Sequence, residues 1–242
     1  MASHGKNAKI FLSNFDISAY LNEAVTTKTA DSNETTTFGA GSKTFLAGLG
    51  DGKIAIKGLF DGSANALDSI AQPLVGAADT TITIAEMGVA TLGNPCKIAN
   101  VQTGHYETSA PVHDVVSAAM EFQGDGGVDR GVILAGLRST VFGTADNATG
   151  VDGLAATTNG GVAAVHVTGY ALTGGTVTVK VQHSTDNTTF ADLATLLNAV
   201  SAVGNAVVYV APGTTVNRYL RAQITTTGSA GTVTTTLSFA RR

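Results

Sequence analysis

Between Glu34 and Gly62 the chain reads ETTTFGAGSKTFLAGLGDGKIAIKGLFDG, and this run constrains the fold more than any other. Its last third alternates. Ile54, Ile56, Gly58 and Phe60 fall on one face, and Lys53, Ala55 and Lys57 on the other. A period of two belongs to a strand with one packed face and one wet face, and excludes an amphipathic helix. Before it lie Phe38-Gly39, a Gly-rich stretch and Gly48-Leu-Gly-Asp51-Gly52, which read as a strand and a Gly turn. The run closes on Phe60-Asp61-Gly62. It holds no convergent acid, base and nucleophile, so it points to structure rather than catalysis.

The same punctuation continues along the chain. Residues 21–29, 80–86, 97–108, 115–122 and 131–137 read as further strands of a mainly antiparallel set. One helix is expected over 63–74, with Ser63 as N-cap, Leu67, Ile70 and Leu74 on one face, and Pro73 and Gly76 ending it. Residues 139–158 are rich in Gly, Thr, Asn and Asp and lack periodicity, which reads as a break. The expected organisation is therefore an assembly domain over 1–145, a linker over 146–158 and a second β domain over 159–242. In that second part 162–170, 175–183, 207–210, 218–226 and 232–239 are short alternating runs, as in a jelly-roll or immunoglobulin-like sandwich. Residues 192–200 read as a helical turn or an irregular crossover.

Charge and cysteine usage narrow the function classes. Of the 242 residues only 13% are charged, a low density that suggests surface covered by partners. The net charge is -4, the opposite of a basic nucleic-acid binder. Acids dominate residues 1–150, 15 against 9 basic side chains, whereas residues 151–242 hold 3 against 5. The single cysteine, Cys96, allows no internal disulfide and suits a reducing compartment. A polar N-terminus with no long apolar stretch is read as lacking a signal peptide or membrane span.

Enzyme and ligand motifs fall short. Gly39-Ala-Gly-Ser-Lys43 lacks the spacing of a phosphate loop and reads as a turn between strands. Gly124-Asp-Gly-Gly-Val-Asp-Arg-Gly131 lacks the terminal Glu of a calcium loop and reads as a hairpin turn. The histidines His4, His105, His113, His166 and His183 show no metal-ligand spacing. No enzyme activity, metal or cofactor is expected.

Several short elements in order carry a resemblance over residues 10–138. They are Asp16-Ile-Ser-Ala-Tyr20, Phe38-Gly39, Lys43-Thr-Phe45, Gly48-Leu-Gly-Asp51-Gly52, Gly58-Leu-Phe60-Asp61-Gly62 and Ser109-Ala-Pro111-Val-His-Asp114. In this order the chain resembles the major tail tube protein of long-tailed bacteriophages. The resemblance implies a mainly β fold, a barrel-like or sandwich domain with one flanking helix. It implies self-assembly into stacked hexameric rings around a DNA conduit, within the virion tail. It also implies a tape-measure protein and tail initiator and terminator proteins as partners, with DNA passing through without tight binding and no membrane. Asp16, Phe38, Gly39, Asp51, Gly52, Phe60, Asp61, Gly62, Pro111 and Asp114 are the expected assembly or turn-fixing positions. Glu23, Glu121 and Asp125 are candidates for an acidic or neutral lumen. The second part is similar to the small β-sandwich appended to some tail tube proteins. The alternative reading is a decoration or adhesion protein whose sandwich binds a host glycan, with Tyr170, Phe190, Tyr209 or Tyr219 as exposed platforms.

Overall fold

The computed structural model describes residues 5–39 and 41–242; His4 and Ala40 lie outside the described residues. The fold is mainly β. In chain order the strands are β1 (Lys9–Leu12), β2 (Phe15–Asp16), β3 (Leu21–Glu34), β4 (Phe45–Leu59), β5 (Thr80–Ala85), β6 (Pro95–Ser109), β7 (Ser117–Val141), β8 (Ala145–Asn147) and β9 (Val151–Asp152). They continue as β10 (Gly161–Tyr170), β11 (Val177–Ser184), β12 (Ala191–Val200), β13 (Gly204–Val210), β14 (Tyr219–Thr226) and β15 (Thr232–Arg241). One short helix, α1 (Leu67–Ala71), lies between β4 and β5. Among the described residues neither of the two sheets closes into a barrel.

The chain packs into two compact units. Unit 1 holds residues up to Ala19, Thr80–Ala99 and Asp129–Arg242; unit 2 holds Tyr20–Asp79 and Asn100–Val128. The expected boundary at 146–158 therefore falls inside unit 1. That segment is not a free linker, because β8 and β9 both pair antiparallel with β14.

Unit 1 is a sandwich with a second core. In its larger sheet β10 lies between β13 and β15, and β15 pairs with the second half of β7. The smaller sheet runs β12-β11-β14-β8, with β9 also on β14. The core between the sheets gathers Leu134, Ala163, Val165, Val179, Leu220 and Phe239. On the opposite face of the larger sheet Val162, Ala164 and Ala240 pack with Phe11, Cys96 and Ile98. Residues 161–167 of β10 are consequently buried on both faces. A strand covered on both sides reads as a continuous apolar run, which is what Val162-Ala-Ala-Val165 is.

Unit 2 is built on the alternation that the sequence displays. In β4, Gly52, Ile54, Ile56 and Gly58 are buried, while Lys53, Ala55 and Lys57 are exposed. Its partners follow in register, Ile54 opposite Phe122 and Ile56 opposite Met120. Leu67, Ile70 and Ala71 are the buried side of α1. The helix is tied to β6 by Tyr106, whose hydroxyl donates to Asp68 at 2.7 Å. It is shorter than expected, and Ser63 does not cap it: Ala66 occupies the N-cap position without a side-chain bond.

Three further expectations are corrected. Gly48–Gly52 is not a turn, because β4 runs through it. A Cβ on Gly48 would lie 2.9 Å from that of Asp31, and one on Gly52 would lie 2.7 Å from Val128 Cγ2. These glycines admit close neighbours rather than reversing the chain. Gly124–Gly131 is likewise inside one strand, β7, where Gly126 and Gly127 take φ of 77° and 89°. Positive φ bends the strand without ending it. Residues 192–200 form strand β12 rather than a helical turn; its pairing with β11 shifts register three times, and these bulges blur its period.

Candidate functional site

Among the described residues no group of three or more His, Cys, Asp or Glu side chains could hold a metal ion. No helix among them is long and apolar enough to cross a membrane. The feature that stands out instead is a surface, the β3–β4 hairpin.

Its base belongs to the larger sheet, where β4 is flanked by two strands. Residues 53–58 of β4 lie between β3 on one side and β7 on the other. From Asp51 outward β4 pairs only with β3, through Thr29 opposite Asp51 to Glu34 opposite Phe45. The reversal follows at residues 35–44, where Thr35 N–H donates to Thr44 O at 2.8 Å and Lys43 pairs with Glu34 at 3.0 Å. Every described residue from Thr27 to Gly50 is exposed. Such a ribbon buries no core, yet it carries Phe38, fully exposed, with Phe45, Leu46 and Leu49 at 59%, 64% and 84% exposure. Four large apolar side chains on an arm without a packed face mark an interaction surface.

Asp51 and Gly52 sit where the arm leaves the sheet. The Asp51 carboxylate accepts the Gly52 N–H at 2.7 Å and the amide of Gln123 on β7. Both contacts pin the base of the arm.

The other motif positions divide by location. Asp16 takes the Lys9 ammonium at 2.8 Å and the Ser18 N–H at 3.1 Å, and also the Ser18 hydroxyl. Burial would raise its pKa, but these three partners together hold it below the usual carboxylate value. Asp61 accepts the Ser63 N–H at 2.8 Å, which lowers its pKa and fixes the turn after β4. Asp114 accepts the N–H of its neighbour Val115 at 2.7 Å. Pro111 is exposed in the same turn region. Phe60 N–H donates to Val116 O at 3.0 Å, so Phe60 and Val116 lie side by side, each 37% exposed. Leu59, Val112 and Val115 are also exposed in this part of unit 2. Gly39 has a φ of 87° in the reversal, and a Cβ on Gly62 would meet the Phe60 ring at 3.4 Å.

The three lumen candidates do not form one acidic row. Glu23 stands opposite Lys57, and Ala55 opposite Glu121, with Lys53 two residues along the same wet face. Two acids and two lysines thus share the exposed face of the sheet. Asp125 lies in the bend of β7 rather than at a strand end.

Sequence reading missed the ion pairs and the buried histidine of unit 1. Arg138 binds Asp146 through two nitrogens, and Arg218 binds Asp152 through two at 2.8 and 2.7 Å. His166 is fully buried. No spacing signals such pairs, because the fold rather than the local sequence brings their members together. The aromatic platforms are occupied as well. The guanidinium carbon of Arg221 lies 4.0 Å from the centre of the Phe190 ring, that of Arg218 5.1 Å from Tyr219, and that of Arg242 5.2 Å from Tyr209. The Tyr170 hydroxyl donates to Gly175 O at 2.5 Å.

No protein-family model matches the chain, and no curated protein matches it. Solved structures give distant likenesses. The virion of a native gene transfer agent particle contains a chain with 13% identity and a TM-score of 0.42, covering 53% of this chain and 98% of that one. The Dit protein of phage SPP1, described as a hub adsorption apparatus, gives 11% identity and a TM-score of 0.37, covering 97% of this chain and 98% of that one. The phage p2 baseplate gives 8% identity and a TM-score of 0.32, covering 97% of this chain and 98% of that one. With every TM-score below 0.5, these likenesses bear on neither family nor function.

Proposed function

We propose that the chain is a structural protein of a phage tail, a tail tube subunit that assembles with its own copies into stacked hexameric rings and forms a conduit for DNA during ejection. The observation that carries this reading is the β3–β4 arm. An apolar ribbon held only by its own ladder has no role in the chain's own core, and a heterologous contact from arm to neighbouring copy propagates into rings and stacks. The ordered motifs over residues 10–138 support the same reading. The tape-measure, initiator and terminator proteins are the partners it implies, and the virion tail is the location. The adhesion reading is weaker, because arginines or a backbone contact already engage all four aromatic platforms.

Negative-stain microscopy of the purified protein, alone and seeded with tail tips, tests the proposal. Rings or tubes of uniform bore are expected. A variant with Phe38, Phe45, Leu46 and Leu49 all changed to Ser should keep its circular dichroism and melting transition, because these side chains are exposed, and should form no tubes. Tubes formed equally well by this variant would remove the arm from assembly. Only dispersed monomers from the wild type, seeded or not, would count against a tube subunit altogether.

A further inference from the structure

Unit 1 contains a cleft of about 360 Å³ that the assembly reading does not use. Its lining combines an apolar floor with two arginines and one acid. Phe239 and Leu220 are buried at the floor, and Val132 and Val151 are half-buried beside them. Leu154, 82% exposed, stands at the rim in the left-handed region with φ 68°.

Arg130 and Arg241 supply the charge. Arg241 is half-buried and donates to three carbonyl oxygens, those of Val216 at 2.9 Å, Asn217 at 2.6 Å and Arg218 at 2.8 Å. Carbonyls orient a guanidinium but do not cancel its charge. Among the described residues neither Arg130 nor Arg241 makes an ion pair. Asp152, the acid in the lining, is bound by Arg218 at 2.7 Å and its charge also acts on Arg241, so two arginines in the lining face one shared acid. Gly153 lies close against this guanidinium: a Cβ there would lie 2.7 Å from both Nε and Nη2 of Arg241. The cleft therefore has an apolar floor and an excess of positive charge in its walls.

We propose that this cleft binds an apolar group bearing a carboxylate, with the hydrocarbon or aromatic part on Phe239 and Leu220 and the carboxylate at Arg130 and Arg241. Its size lies near the lower end of ligand sites, about 300–1,000 Å³, and suits one residue or a small acid rather than a folded surface. Guanidinium groups favour carboxylates through paired N–H donors, which Arg130 offers, while Arg241, with both Nη2 hydrogens given to carbonyls, adds its charge. The shared chemistry covers the C-terminal residue of a peptide and a free carboxylic acid. The inference is independent of the assembly reading.

Isothermal titration of the full chain tests it with three probes. N-acetyl-L-phenylalanine mimics a peptide end, 3-phenylpropionate is a free acid, and N-acetyl-L-phenylalaninamide lacks the charge. Heat from both acids and none from the amide is expected, weakening as salt rises. Heat from the first acid alone identifies a peptide end; heat from the second alone identifies a free acid. Hydrogen exchange at Gly153 and Leu154 should slow in the bound state. The variant Arg130→Gln, at an exposed position, should keep the wild-type melting temperature and lose about fivefold or more in affinity, with Arg130→Lys in between. No heat from either acid, equal binding of the amide, or undiminished affinity in Arg130→Gln would each overturn the proposal.

Discussion

His166 shows how one residue ties stability to pH. Its ring is fully buried and stacks on Phe11 with centroids 5.5 Å apart. Nδ1 lies 2.5 Å from the Ser13 carbonyl, which can only accept, so Nδ1 carries the proton. Nε2 then accepts from the Thr83 hydroxyl at 2.8 Å. Burial disfavours the charged ring and pulls its pKa down to about 4, although the Ser13 bond opposes the shift. The unfolded chain binds this proton more readily, at a pKa of about 6.5. The contribution of the neutral ring is therefore intact above pH 6.5 and is lost as pH falls toward 4, on the order of 3 kcal/mol by the lower end. His183, lowered by burial and by Arg241, adds in the same direction. The lowered carboxylates Asp16 and Asp146 act in a more acidic window, because their stabilising effect is lost only below about pH 4. Urea melts at pH 7.5 and 4.5 should show the loss, and His166→Gln, which keeps a donor and an acceptor, should remove most of the difference. An unchanged difference in that variant would place the acid sensitivity elsewhere. Glycines give a second contrast. A Cβ on Gly58 would lie 2.0 Å from Tyr20 O and 2.8 Å from Leu21 Cα, both backbone, whereas on Gly62 it would meet only the Phe60 ring at 3.4 Å. Gly58→Ala should destabilise by about 2 kcal/mol or more and Gly62→Ala by much less, read from denaturant midpoints; equal midpoints would contradict the crowding.

At the scale of elements, what could be read from the sequence depended on whether a signal was local. The alternation of Ile54 and Ile56 with Lys53 and Lys57 is local, and it places the inner half of β4 and its buried isoleucines correctly, although Phe60, read onto the same face, is exposed. The glycines of Gly48–Gly52 and Gly124–Gly131 are not self-explanatory, because a glycine that turns a chain and one that admits a neighbour are the same letter. Asp31, Val128 and Phe239 decide between them, and each is distant in sequence or on another strand. The arm was legible only in part for a related reason: residues 21–29 and 53–60 read as strands, while the ladder that carries both outward lies between β3 and β4. The wet face at the base of the arm carries a prediction for the conduit reading. Glu23 and Glu121 there offset Lys53 and Lys57. Changing Glu23 and Glu121 to Lys leaves only cations at these four positions, and phosphates bind cations in a salt-dependent manner. If this face lines the bore, the double variant should form normal tubes yet slow DNA ejection, more so at low salt. Ejection at the wild-type rate in low salt would place the face away from DNA.

For the whole molecule, the sequence suggested a break that the strand pairing bridges. Residues 146–158 look like a linker because two strands of three and two residues are too short to display a period. Their partner β14 lies more than sixty residues further along the chain. A chain ending at residue 145 would keep the second half of β7 and lose β15, which pairs with it from Val132 opposite Phe239 to Val141 opposite Thr232. It would also strip both faces of that strand. Leu134 and Ala135 would lose Ala163, Val165 and Phe239 on one side, and Ile133 would lose Val162, Ala164 and Ala240 on the other. Each large buried aliphatic side chain so exposed costs about 1.5–3 kcal/mol, and a few of them exceed the net stability of an ordinary domain, about 5–15 kcal/mol. The 1–145 fragment should therefore be insoluble or melt without a cooperative transition, whereas the full chain melts cooperatively. Hydrogen exchange separates the outcomes: Ile133–Ala135 amides protected in the full chain should exchange freely in the fragment. A soluble 1–145 fragment with those amides still protected would restore the boundary at 146–158 and would show that the first half of the chain holds a core of its own.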